Sequence, residues 1–181
     1  APSLDAAPLR SAPAPAAATS GGSGLLNMDA VPQEYRQDLI AAGQRCPGVS
    51  APVLAAQIDA ESRWNPAARS PVGADGIAQF MPATWATWGK DYDGDGRADV
   101  MNAHDAIGSQ ADFMCALYQQ IGAELADGAV VGDRLQLTLA AYNAGIGNVR
   151  KHRGIPPFTE TQRYIKRILA LVATYSLAPK V

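Results

Sequence analysis

The chain has 181 residues, 48% hydrophobic and 18% charged, enough for one globular domain with its own core. Its 15 basic and 17 acidic residues leave a net charge of −2. That balance gives no electrostatic basis for binding nucleic acid or an anionic membrane surface, and no apolar run approaches the roughly 20 residues that span a bilayer.

Residues 1–24 are mostly alanine, proline, serine and glycine, with Asp5 and Arg10 the only charges. This composition buries too little apolar area to offset ordering entropy, so a disordered linker is expected there and a folded domain over residues 25–181. No basic start followed by an apolar stretch is visible, so a signal peptide is read as absent or already removed. Alanine/proline linkers of this kind often separate an exported domain from an anchor. Pro32 opens a helix expected to reach about Cys46, with Tyr35, Leu39 and Ala42 on its apolar face; Pro47-Gly48 breaks it. Ser50 is the expected N-cap of the next helix, with Pro52 in its first turn. In that helix Leu54, Ile58 and Glu61 fall at i, i+4 and i+7, so the Glu61 carboxyl shares a face with two aliphatic side chains. Desolvation on such a face raises a carboxyl pKa toward neutrality, as a general acid requires. The plainer alternative is a partly exposed residue in a fraying last turn.

Residues 65–81 read as loop, with prolines at 66 and 71 and glycines at 73 and 76. Pro82 starts a short helix in which Trp85 and Trp88 share a face, as core or as a sugar-stacking platform. A long helix is expected from Asp105, its candidate N-cap, to about Leu125, with Ile107, Ala111, Met114, Tyr118 and Ile121 on one stripe. Asp127-Gly128 stops it. A further helix covers Asp133 to about Tyr142 and ends at Asn143-Ala144-Gly145. A short turn or helix lies near 148–152. The last helix spans about Thr159 to Tyr175, with Thr159 and Gln162 spaced as a capping box. No period-2 run stands out, so the fold class is all-α. Two cysteines, Cys46 and Cys115, form either a structural disulfide, which export would favour, or two free buried thiols; neither sits in a Cys-x-x-Cys metal or redox motif.

The segment Asp91-Tyr92-Asp93-Gly94-Asp95-Gly96-Arg97-Ala98-Asp99 reads as an EF-hand-type loop. Asp91, Asp93 and Asp95 take the first, third and fifth positions, Gly96 the turn, Arg97 a backbone carbonyl and Asp99 the ninth position. Asn102 stands where a bidentate glutamate belongs, and Asp105, three residues on, can substitute. A structural Ca2+ is expected, against the alternative of a metal-free acidic turn; catalysis needs no cofactor.

Three further segments accompany Glu61-Ser62: Gly76-Ile77-Ala78-Gln79, Ala141-Tyr142-Asn143-Ala144-Gly145, and Tyr164 in the last helix. In this order and spacing they resemble the soluble lytic transglycosylase family and its relative, goose-type lysozyme, over about residues 53–169. One departure is Ala78, where the family often has methionine. The resemblance implies a lysozyme-like helical domain, exported or associated with the cell wall, that works as a monomer on peptidoglycan glycan strands. The implied reaction cleaves the β-1,4 bond between N-acetylmuramic acid and N-acetylglucosamine and forms a 1,6-anhydro product. It implies Glu61 as a single acid and base, and Ser70, Gln79, Tyr142, Asn143 and Tyr164 as substrate-side residues. Two alternatives remain: a muramidase on the same fold, with Asp75 offered as a second carboxylate, and a calcium-dependent wall-binding module.

Overall fold

The structure, a computed structural model, describes residues 24–177; the linker expected over residues 1–24 lies outside the described residues except for Gly24. Seven α-helices follow in order: α1 (Arg36–Gly43), α2 (Ala51–Ser62), α3 (Pro82–Trp88), α4 (Ala103–Ala126), α5 (Arg134–Ala144), α6 (Ile146–His152) and α7 (Thr159–Tyr175). Only isolated β-bridges occur among the described residues. The all-α expectation therefore holds, and none of these helices is long and apolar enough to cross a membrane.

The core is built around α2. Every side chain from Ala51 to Ile58 is buried, because the helix is apolar around its circumference rather than along one stripe. Helix α7 packs along it, α1 packs on it as well, and α4 joins α1 to α5. Leu54 and Ile58 are fully enclosed, each worth roughly 1.5–3 kcal/mol relative to exposure. Cys46 and Cys115 form a disulfide with Cα atoms 5.6 Å apart, tying the segment after α1 to the middle of α4. At the other side of the sequence, Leu26 bridges Ser176, with Asn27 N donating to Tyr175 O at 2.8 Å and Leu177 N to Leu25 O at 3.0 Å.

Three boundaries differ from expectation. The helix expected from Pro32 to Cys46 is a 3-10 turn over Gln33–Tyr35 followed by α1, which ends at Gly43. Pro32 stays extended and caps the turn, while a side chain at Gly43 would meet Ala51 backbone at 2.5 Å, so the chain must turn where α2 begins. The N-cap of α4 is Asn102 rather than Asp105: its Oδ1 accepts from His104 N at 2.9 Å and Asp105 N at 3.4 Å. Asp105 lies one turn inside. The capping box at Thr159 and Gln162 does not form: Thr159 is already inside the helix, the extended Phe158 is the cap with no side-chain oxygen to offer, and Gln162 N donates to Phe158 O.

Candidate active site

Glu61 sits in the last turn of α2, where the helix rises out of the core. The chain then turns through two left-handed residues, Arg63 (φ 53°) and Trp64 (φ 65°). Conformations of this kind cost roughly 1–3 kcal/mol each and persist only when the surroundings fix them. Here Trp64 Nε1 donates to Tyr175 Oη at 2.9 Å, and Tyr175 Oη donates to Asp59 Oδ2 at 3.0 Å, so the exit of α2 is pinned to the end of α7.

Tyr164 of α7 donates to Glu61 Oε1 at 2.6 Å. The other carboxylate oxygen, Oε2, has no hydrogen-bond partner among the described residues, and the Glu61 side chain is only partly exposed. Burial pushes the Glu61 carboxyl up to about 7; the Tyr164 hydrogen bond opposes the rise, Glu160 adds to it, and Arg167 opposes it. At neutral pH both protonation states are thus populated, the condition for giving and later taking a proton. Tyr142 of α5 donates to Ala78 O at 2.9 Å. Burial, and then the charge of Glu61, hold the phenols of Tyr142 and Tyr164 well above their usual range, so both act as neutral hydroxyls.

The glycine-rich turn is shaped by Gly76. Its φ is +78°, and a Cβ there would meet Val100 O at 2.0 Å. Gly76 O in turn accepts both Gln79 N at 3.2 Å and Gln79 Nε2 at 2.9 Å. Gln79 Nε2 also reaches Ala68 O at 3.3 Å. Its donors are therefore spent on the loop, and the group it can offer a ligand is the Oε1 acceptor. Asn143 is oriented the opposite way: Oδ1 accepts from Thr161 Oγ1 at 2.8 Å, which leaves Nδ2 as the available donor. Ser70 Oγ accepts from Ala74 N at 2.8 Å and closes the loop ahead of the turn. Asp75 is a turn residue, bridged to Arg69 and Phe80, with Arg69 Nε 3.9 Å from its Oδ1. It is not among the charges that act on Glu61.

Trp85 and Trp88 are half-buried in an aromatic cluster. Trp85 meets Phe80 edge-on at 5.2 Å, Trp88 meets Phe113 at 5.3 Å, and Phe113 meets Tyr142 at 5.3 Å. Packing is thus their evident role, with Tyr142 at the end of the cluster. A small hollow beside Tyr142 is lined by Gln79, Phe80, Met81, Thr84 and Phe113. A concavity of about 480 Å3, lined by Gln136 of α5 and residues of α7 such as Thr159, Gln162 and Lys166, does not touch Glu61.

In the acidic loop, Asp91, Asp93 and Asp105 bring carboxylate oxygens within 4.8 Å of one another. Asp105 is fully buried; its Oδ1 accepts from Tyr92 N at 2.6 Å and its Oδ2 from Asp99 N at 3.0 Å. Asp95 Oδ1 instead accepts from Arg97 N at 2.8 Å, and Asp99 Oδ1 from Met101 N at 2.9 Å, so these two stand outside the converging group. Asn102 is occupied at both ends, capping α4 and donating from Nδ2 to Asp93 Oδ2 at 2.6 Å.

Sequence reasoning passed over Gln57 and Gln110, both fully buried, and Glu160 and Arg167, which act on Glu61 through space. Gln57 carried a signal: it is the polar residue inside the apolar run 53–58, four positions before Glu61. Gln110 carried one too, since it lies three residues after Ile107 on the apolar side of α4.

Comparison with known proteins bears on this site. The sequence model of the transglycosylase SLT domain matches residues 38–165. The chain is 35% identical over 133 residues to the soluble lytic murein transglycosylase of Salmonella typhimurium, covering 64% of this chain and 19% of that protein. It is 32% identical over 150 residues to the Escherichia coli K12 protein of the same name, covering 74% and 21%. A membrane-bound lytic murein transglycosylase F from Shewanella frigidimarina is 30% identical over 125 residues, covering 66% and 24%. Among solved structures, the 70 kDa soluble lytic transglycosylase of Escherichia coli superposes with a TM-score of 0.62 at 28% identity, over 78% of this chain and 24% of that one. The chain thus spans between about a fifth and a quarter of the length of these relatives.

Proposed function

This chain belongs to the transglycosylase SLT domain family, and from that premise we propose that it is a peptidoglycan lytic transglycosylase with Glu61 as its single acid and base. The observation that carries the reading is the state of Glu61. Its carboxyl is pushed up to about 7 by burial, one oxygen is held by Tyr164, and the other has no partner among the described residues. Protonated, Oε2 gives its proton to the glycosidic oxygen as the bond to N-acetylglucosamine breaks. The carboxylate then takes the proton of the muramyl 6-hydroxyl, whose oxygen closes on the anomeric carbon to give the 1,6-anhydro ring. The substrate's own N-acetyl group relieves the positive charge at that carbon, an exception to the two-carboxylate scheme. Gln79 Oε1 accepts from sugar or amide donors and Asn143 Nδ2 donates, while the Tyr142 and Ser70 hydroxyls, bonded to Ala78 O and Ala74 N, hold the loop that carries Gln79.

Mass spectrometry of digested peptidoglycan tests this. Anhydro-muropeptides that disappear with Glu61→Gln are expected. Products gaining water would make the enzyme a muramidase, and wall binding without either product would make it a binding module. Action outside the cytoplasmic membrane is supported by the Cys46–Cys115 disulfide, a bond that persists in oxidising compartments.

The acidic loop is read as a structural calcium site. Calcium–oxygen distances are about 2.3–2.6 Å, so ligand oxygens on one ion lie no more than about 5 Å apart, and the oxygens of Asp91, Asp93 and Asp105, all within 4.8 Å of one another, meet that condition. Asp105 replaces the twelfth-position ligand because Asn102 is committed to capping α4. Added Ca2+ should raise the melting temperature of a chelator-treated protein, and Asp93→Asn should remove the response. A melting temperature indifferent to both treatments would end the assignment.

A further inference from the structure

Behind Glu61 a line of buried amides continues into the core. Gln110 Nε2 on α4 donates to Gln57 Oε1 at 2.8 Å. Gln57 Nε2 on α2 donates to Tyr164 Oη at 3.0 Å, and Tyr164 donates to Glu61 Oε1 at 2.6 Å. Both glutamines are fully buried. Polar side chains so placed in an otherwise apolar core are expensive unless paired; Gln110 Oε1 has no partner among the described residues, and the bonds that do form run in one direction. An amide has one donor end and one acceptor end. With Gln110 presenting N–H to Gln57, the Gln57 carbonyl is taken, and its N–H must point at the Tyr164 oxygen. A phenol that accepts there is left to donate its single proton onward to Glu61.

We propose that Gln57, itself oriented by Gln110, is a positioning residue for Glu61: it fixes the direction of the Tyr164 hydroxyl and thereby assigns the exchangeable proton of the carboxyl to Oε2. The consequence follows from hydrogen-bond chemistry. An oxygen that permanently accepts a phenol proton is a poor place for a second proton, so protonation occurs on the unpaired oxygen, where a leaving group can be reached. Without Gln57 the hydroxyl can turn, accept a proton from Oε1, and stabilise the acid with its proton on the wrong atom. The ionisable groups acting on Glu61 are Tyr164, Glu160 and Arg167 from α7, together with Tyr142 of α5, whose phenol feels its charge; Gln57 adds none, so its effect is one of direction alone.

The inference rests on Glu61 being the acid, but its test does not need turnover. The chain has four glutamates, at 34, 61, 124 and 160, so 13C-carboxyl NMR of glutamate-labelled protein can follow Glu61. Gln57→Leu is expected to raise its midpoint by about half a pH unit or more, Gln110→Leu by less, and Tyr164→Phe by the most. In a Tyr164→Phe background, Gln57→Leu should add nothing. In activity assays kcat near neutral pH should fall with KM unchanged, because Gln57 touches no substrate. An unmoved midpoint in Gln57→Leu, or an equal shift with and without Tyr164, overturns the proposal. Gln57→Met, unbranched and close in volume, serves if the leucine variant does not fold. Failure of both to fold would make Gln57 a structural residue and equally overturn it. A wild type yielding no anhydro products would instead undo the enzymatic reading and leave the NMR result standing.

Discussion

Glu61→Gln should make the protein more stable, in a way that depends on pH. The Glu61 carboxyl is raised from 4.5 to about 7 in the folded chain. Between those values the native state holds a proton that the unfolded state has released, so stability falls as pH rises through this window. Below pH 4 both states are protonated and nothing is lost; above pH 8 the whole penalty is present. At about 1.36 kcal/mol per pH unit the difference amounts to roughly 3 kcal/mol, an upper figure because the partly exposed side chain is screened by water. Glutamine carries no charge and still accepts from Tyr164 through its carbonyl. The substitution should therefore raise the melting temperature at pH 8 by up to roughly 5–10 °C and leave it nearly unchanged at pH 4. Because both proteins share every other titrating group, the difference between their melting curves across pH isolates Glu61. An equal gain at pH 4 and pH 8 would refute the reasoning, since the benefit would then not come from removing a buried charge.

Tyr164→Phe removes the hydrogen bond that opposes burial, so the Glu61 midpoint should rise further, and kcat should fall roughly 10- to 100-fold, the worth of a hydrogen bond to a charged group. Reduction, or Cys46→Ser with Cys115→Ser, opens a loop closed across a sequence separation of 69 and should lower stability in a urea melt by roughly 4 kcal/mol. Gly76→Ala places a methyl against Val100 O at a backbone conformation that alanine resists; a loss well above 1 kcal/mol and a fall in activity are expected, because Gln79 is held through Gly76 O.

Much of this architecture could be read from residue pattern because local and tertiary preferences agree. The stripe Ile107, Ala111, Met114 and Ile121 is buried as its spacing requires, and Asp133 caps α5 with its own carboxylate at 2.9 Å from Gln136 N. Boundaries failed where two residues competed for one task. Asn102 and Asp105 both suit an N-cap, and the choice fell to Asn102 because Asp105 was needed to receive the acidic loop's amides. At the site, the motif residues were legible, but their atoms were not. Which end of Gln79 or Asn143 is free depends on the carbonyl of Gly76 and the hydroxyl of Thr161, partners that no spacing rule supplies. Gln57 and Gln110 lie 53 residues apart in the chain, and only the tertiary fold, which brings their side chains on α2 and α4 into hydrogen-bond reach, makes them one pair.

The short bridge between Leu26 and Ser176 has a mechanical meaning. Antiparallel pairing places residues 25 and 177 side by side, so the chain enters and leaves the domain at one point. Tension applied through the two ends would load the bridge as a zipper, opening the Leu25–Leu177 bond before the Asn27–Tyr175 bond. The contact between α2 and α7 that holds Tyr164 against Glu61 lies behind that clasp. Under such a load the first extension would be spent on these few hydrogen bonds while Tyr164 and Glu61 stay in register.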